Sequence, residues 1–233
     1  MSKPRSSFLS ALGTLFQIFK ALVDEVLAAG GNDEDVRRIQ TDSNLREQIV
    51  GLIMRKEAAV EKQTAAWVVL YKRYFGLEVD LSGIKIPECK PGFNRLIVVA
   101  KGLTMNQVYD VCAKRFPCWR FTDDLDRAVN QNDRDPENGT YAIWVRDRQE
   151  ADEELKNLSA DQLKEQGVLG ITLLERLLYE LKYFNETGKH LDQANWTLCA
   201  GSCYSDGYVP STLWVGGEFK VIYDHPVYCI DYL

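Results

Sequence analysis

The chain has 233 residues, 45% of them apolar, with 28 Lys and Arg against 34 Asp and Glu and a net charge of −6. That length suits one large domain or two modest ones. The acidic balance, with no basic run to interrupt it, tells against nucleic-acid binding, and no apolar run is long enough to span a bilayer.

The first helix is expected over Phe8–Ala29. Lys3 and Arg5 before Phe8–Leu12 have the outline of a signal peptide, but Leu12, Phe16, Phe19, Val23 and Val26 recur at helical spacing among Lys20, Asp24 and Glu25. An amphipathic helix of the mature protein is the better reading. A cytoplasmic location follows, in which the six cysteines stay reduced. Gly30-Gly31 stops this helix, Asn32-Asp33 caps a short one through Ile39, and Asp42 or Ser43 caps a third. The third carries Leu45, Ile49, Leu52, Ile53, Trp67, Leu70 and Tyr74 and ends near Gly76. Residues 1–75 therefore read as a helical region, with self-association or partner binding through its helices as one role.

Gly83, Pro87, Pro91 and Gly92 punctuate a linker. Arg95–Ala100 is an apolar run with the length of a buried strand, Thr104 with Gln107 opens a capped helix, and Thr140–Val145 is a second strand. Arg146, Asp147 and Arg148, followed by Glu150, Asp152, Glu153 and Glu154, mark a solvated helix start rather than a catalytic cluster. Ser159 caps a helix ended by Gly167. Ile171–Asn185 has Leu174, Leu177, Leu178, Leu181 and Phe184 on one face, expected to pack on a sheet, and Glu175, Arg176 and Lys182 on the other.

From Asn195 the character changes to short strands rich in Tyr, Trp, Asp, Ser, Gly and Cys, the composition of a binding surface. Strands are expected at Trp196–Cys199, Leu213–Val215, Phe219–Tyr223 and Val227–Leu233, with Gly216-Gly217 as a hairpin turn. The late strands are too closely spaced for crossover helices, so a parallel αβαβ sheet is disfavoured.

Catalytic chemistry is thinly represented. A nucleophile needs an oriented base, and only His190 and His225 are present. His190 lies in a helix-to-strand connection and reads as a surface or capping residue. There is no nucleophile elbow, phosphate loop, dinucleotide fingerprint or zinc-protease motif. Cys199 and Cys203 are four apart, but neither a second Cys pair nor clustered histidines complete a metal site. No catalytic residue, metal or cofactor is assigned.

The stretches FNRLIVVAKGLT, FPCWRFTDDLD, GTYAIWVRD, GITLLERLLYELKYFNETGKHLD and the spaced TLCAGS/SDG/VP pattern resemble a group of bacterial proteins, mostly of small-genome candidate lineages, that look like variable proteins of diversity-generating retroelements. The resemblance covers most of the chain. It implies a C-type lectin-like fold of the formylglycine-generating-enzyme type over residues 76–233, hence an α+β protein with a helical N-terminal region and a small, mainly antiparallel sheet. Adenine-directed mutagenesis of Asn codons yields a restricted alphabet without Lys, Glu, Gln, Met or Trp, and Val221–Leu233 fits it throughout.

On this resemblance Thr197, Leu198, Cys199, Gly201, Ser202, Ser205, Asp206, Gly207, Val209, Pro210, Trp214 and Pro226 are framework. Cys203, Tyr204, Tyr208, Ser211, Leu213, Val215, Ile222, Tyr223, Asp224, His225, Val227, Tyr228, Cys229, Ile230 and Tyr232 are variable, ligand-binding positions expected to share one exposed face. The implied function is non-enzymatic recognition of a ligand, a protein, through residues 196–233. The calcium-binding motifs of sugar-binding lectins are absent. Relatives continue past the final Leu with a strand-like tail, which leaves completeness of the last strand open. Two alternatives stay open: an oxidase of the formylglycine-generating type using Cys199, Cys203 or Cys229, and a helical interaction module.

Overall fold

The computed structural model describes the backbone of residues 12–225 and the side chains of residues 16–46, 49 and 59–225. The expectations for Val227, Tyr228, Cys229, Ile230 and Tyr232, for Pro226 and for a strand at 227–233 fall outside those residues. The protein is mixed α+β, as its sequence leads one to expect. The chain forms two compact units, residues 1–59 and 60–233.

In the first unit, α1 (Leu12–Ala28) and α2 (Asp33–Thr41) are joined through Gly30 and Gly31. The Asn32 side chain accepts from the Glu34 N–H, and the Asp35 carboxylate accepts from the Asn32 N–H, which closes the start of α2 with two otherwise unpaired donors satisfied. Val36 is its buried residue.

Helix α3 (Ser43–Phe75) belongs to both units. Its last turns are core of the second one. Trp67 and Tyr71 are fully buried; the Trp67 indole N–H donates to the Leu96 carbonyl (2.8 Å) and the Tyr71 hydroxyl donates to the Val98 carbonyl (2.6 Å). The second unit therefore begins inside this helix rather than at the Gly76 break. Burial of a Trp and a Tyr requires partners for their polar tips, and the edge of β1 supplies both.

Strand β1 (Arg95–Val99) pairs antiparallel with β4 (Tyr141–Val145). Between them lie α4 (Met105–Ala113), closed by a Thr104/Gln107 capping box, then β2 (Cys118–Arg120), α5 (Leu125–Ala128) and β3 (Gln131–Asn132). After β4 comes a loop braced by ion pairs of Arg146 with Asp152 and Arg148 with Glu154, with a single 3-10 turn at Glu153–Leu155 rather than a helix start. Helix α6 (Ala160–Glu165) and helix α7 (Leu173–Thr187) follow, each opened by a capping box. The C-terminal sheet has the order β2-β8-β7-β5, with β5 at Thr197–Leu198, β7 at Val209–Val215 and β8 at Glu218–Asp224; β6 (Ser202–Cys203) pairs instead with β3.

Two details decide how this sheet is built. Val215 pairs with Glu218 across Gly216 and Gly217, whose φ values of 64° and 80° make the two-residue turn the glycine pair signals. Strand β2 runs parallel to β8, with Cys118 opposite Phe219, so one parallel pair enters a sheet otherwise antiparallel.

Helix α7 is the centre of the unit, touching α4, β1 and β7. Its leucine face is buried as expected. Its polar face is buried too: Glu175, Arg176, Glu180 and Lys182 are all enclosed. Arg176 bonds Glu180 (3.1 Å) and Asp192 (2.8 Å), and Arg134 reaches Glu175 (2.6 Å). Charges survive burial only when paired in this way. Among the described residues, no helix is long and apolar enough to cross a membrane.

Candidate recognition surface

The geometry of the β7–β8 hairpin distributes the expected binding residues. Side chains alternate across a strand, and the register sets Thr212 opposite Val221 and Trp214 opposite Phe219. Thr212, Val221 and Phe219 are buried, so this is the core face. The intervening pairs Ser211/Ile222, Leu213/Lys220, Val215/Glu218 and Val209/Asp224 belong to the other face. On it Val215 is exposed and Leu213, Ile222 and Asp224 are half-buried.

Tyr223 has the parity of the core face, yet it stands at the strand end and is 43% exposed. Its ring meets Phe121 at 4.1 Å between centroids and Tyr208 edge-on at 5.3 Å, and Tyr208 meets His225 edge-on at 5.3 Å. Phe121 follows directly on β2, where its N–H donates to the Val221 carbonyl, and is 51% exposed. Trp119 of β2 is 44% exposed, with the Lys220 ammonium 5.9 Å from its ring. Tyr208 is set by a tight turn: the Gly207 N–H donates to the Tyr204 carbonyl and the Tyr208 N–H donates to the Asp206 carboxylate.

The single exposed face therefore resolves into two. Tyr208, Tyr223 and His225 join one aromatic group; Leu213, Val215, Ile222 and Asp224 occupy the opposite side of the hairpin. Period-two alternation separates them. Three residues need correction. Tyr204 is only 4% exposed and lies under Phe121, its hydroxyl directed to the Ile222 carbonyl. Ser211 is fully buried, because β7 is an interior strand and Ser211 sits between Leu198 and Ile222. Cys203 is on β6, in the other small sheet, opposite Gln131.

Phe121 belongs with the aromatic group and Trp119, opposite Lys220, with the Leu213 side of the sheet; neither was assigned to the surface by sequence reasoning. The signal was present in Phe116-Pro117-Cys118-Trp119-Arg120-Phe121, an aromatic at alternate positions beyond a helix. What no local pattern reveals is that this triplet joins a strand about a hundred residues later.

His190 and the described cysteines are placed as follows. His190 is not a surface residue: its ring stacks on the Trp214 indole at 3.4 Å and 6° and on Phe184 at 4.7 Å, and its Nδ1 is 2.8 Å from the Glu180 carboxylate. Cys89, Cys112, Cys118, Cys199 and Cys203 are unbridged. Burial pushes the Cys112, Cys199 and Cys203 thiols up, and the Cys118 thiol to about 12. Reactive thiols need the opposite shift. Among the described residues, no group of three His, Cys, Asp or Glu side chains is placed to hold a metal ion.

Compared with known proteins, the chain matches no family model, no curated protein and no solved structure.

Proposed function

We propose that this chain is a non-enzymatic binding protein of the diversified-display kind, in which a lectin-like scaffold presents its C-terminal hairpin to a protein ligand. The observation that supports this reading most directly is the exposed aromatic pair of Phe121 and Tyr223, bordered by Tyr208. Aromatic side chains offer large contact area at small entropic cost and dominate interface energetics. Tyr223 stands at the strand end with 43% of its surface exposed, so its exchange disturbs the scaffold's packing least. The upward-shifted Cys199 and Cys203 thiols tell against the oxidase alternative at those two positions, while Cys229 lies outside the described residues.

Two measurements test the proposal. Sequencing the DNA around the gene should find a reverse transcriptase and a near-copy of the final coding segment. A display library randomised at Leu213, Val215, Ile222, Tyr223 and Asp224 should stay folded and yield binders to an arbitrary protein such as egg-white lysozyme. A library that is mostly unfolded, beside a locus without the second copy, removes the proposal.

A further inference from the structure

A cavity of about 640 Å³ lies in the second unit, away from the hairpin, between the Gln149–Ile171 loop, strand β4 and the Asp192–Ala200 segment. Protein interiors rarely leave voids much larger than a water molecule, and this volume is that of a small-molecule site. Trp144, Val145, Leu155, Leu158, Val168 and Trp196 line it, and each is only partly buried. They are its apolar lining, and no side chain among the described residues fills the space. Leu169, at the loop's end, is 79% exposed rather than turned to packing.

The loop is held in place by polar ties, not by collapse into the hole. The Tyr179 hydroxyl bonds the Arg146 and Arg148 carbonyls, the Asp192 N–H donates to the Gln149 carbonyl, and the Glu150 carboxylate accepts from the N–H groups of Ala194 and Asn195. At the loop's far end Gly170 meets Gly201 so closely that a Cβ on Gly170 would lie 2.6 Å from the Gly201 nitrogen. Both ends are thus pinned to the body, and the space between them is kept open.

The charges that line the cavity define its occupant. Arg134, Arg146, Arg148 and Arg176 all border it, and each is committed to a carboxylate: Glu175, Asp152, Glu154 and Asp192. Lys156 is paired likewise with Glu153, so five of the six cations among the described lining residues are committed to carboxylates and Lys90 is the exception. We propose that this cavity binds an uncharged, largely apolar small molecule with an aromatic ring, held against the Trp144 and Trp196 indoles. The site is separate from the aromatic surface assigned to protein recognition.

The probe is N-phenyl-1-naphthylamine, an uncharged fluorescent aromatic amine, titrated into the full chain beside its anionic relative 1-anilinonaphthalene-8-sulfonate. The uncharged probe should saturate at one per chain and slow amide exchange across residues 150–170. Filling the hole with Leu158→Trp or Ala151→Trp should weaken its binding about tenfold or more while far-UV circular dichroism is retained, whereas Tyr223→Ser should leave it unchanged. Loss of binding in Tyr223→Ser, tighter binding of the sulfonate, or no slowing of exchange at 150–170 in the unmodified chain overturns the proposal. The exchange measurement decides the matter even where both filling variants unfold.

Discussion

Helix α7 and the β2–β8 edge invert the usual placement of side chains. On α7, Glu175, Arg176, Glu180 and Lys182 are enclosed; at the edge, Trp119, Phe121 and Tyr223 face solvent. Most exposed apolar residues need no explanation, but a buried charge network and a contiguous aromatic group do. The buried charges are matched pair by pair and fix how α7 sits. Of the exposed rings, Phe121 and Tyr223 touch each other, and Trp119 meets only the Lys220 ammonium. One region is committed to structure, the other is where the proposed recognition would take place.

The strongest way to break that contrast is to remove one charge from the centre. Arg176→Met should cost about 3–5 kcal/mol, because Glu180 and Asp192 would be left buried without a counterion; urea denaturation measures it. Tyr204→Ala should cost about as much, since truncating a buried aromatic opens a cavity. Leu178→Ala, at a fully buried position of α7, should cost about 2–5 kcal/mol, and a loss below about 0.5 kcal/mol would place that face at the surface.

Alkaline pH probes the same centre without mutation. Burial raises the Tyr71 and Tyr204 hydroxyls and pushes Tyr179 to about 12. A folded-state value above the unfolded one, near 10 for tyrosine, means the stabilisation is complete below about pH 10 and is lost as pH rises toward the folded value. Each such group can withdraw up to about 3 kcal/mol. Melting temperature should fall steeply between about pH 10 and 12, together with a rise in phenolate absorbance. The smallest effect belongs to the edge: Tyr223→Ser and Val215→Ser should each change stability by about 0.5 kcal/mol or less, while affinity for a selected protein ligand drops by about tenfold or more at Tyr223.

Much of the scaffold was legible because its signals are local. The Thr104 and Ser159 caps, the Gly216-Gly217 turn and the leucine stripe of α7 all act within a few residues. What was hidden depends on distant partners. Lys182 looks solvent-facing by helical spacing, and nothing nearby announces that Trp67 lies 5.0 Å from its ammonium. Likewise Ser211 alternates correctly for an outer position, but its burial depends on β5 pairing from the other side. Trp119 and Phe121 escaped for the same reason, since β2 is three residues long and acquires its meaning only from β8.

The parallel pairing of β2 with β8 also governs how the chain can fold. Cys118 and Phe219 are roughly a hundred residues apart, so their pairing closes a long loop before any contact rewards it. The β7–β8 hairpin, with its two-glycine turn, is local and can form early. On contact order, docking of β2 is expected to follow it, and until it happens the open flank of β8 is an unpaired strand edge of the kind that recruits other chains. The same segment that supplies Trp119 and Phe121 to the surface thus acts as the seal on that edge, and its arrival divides productive folding from aggregation.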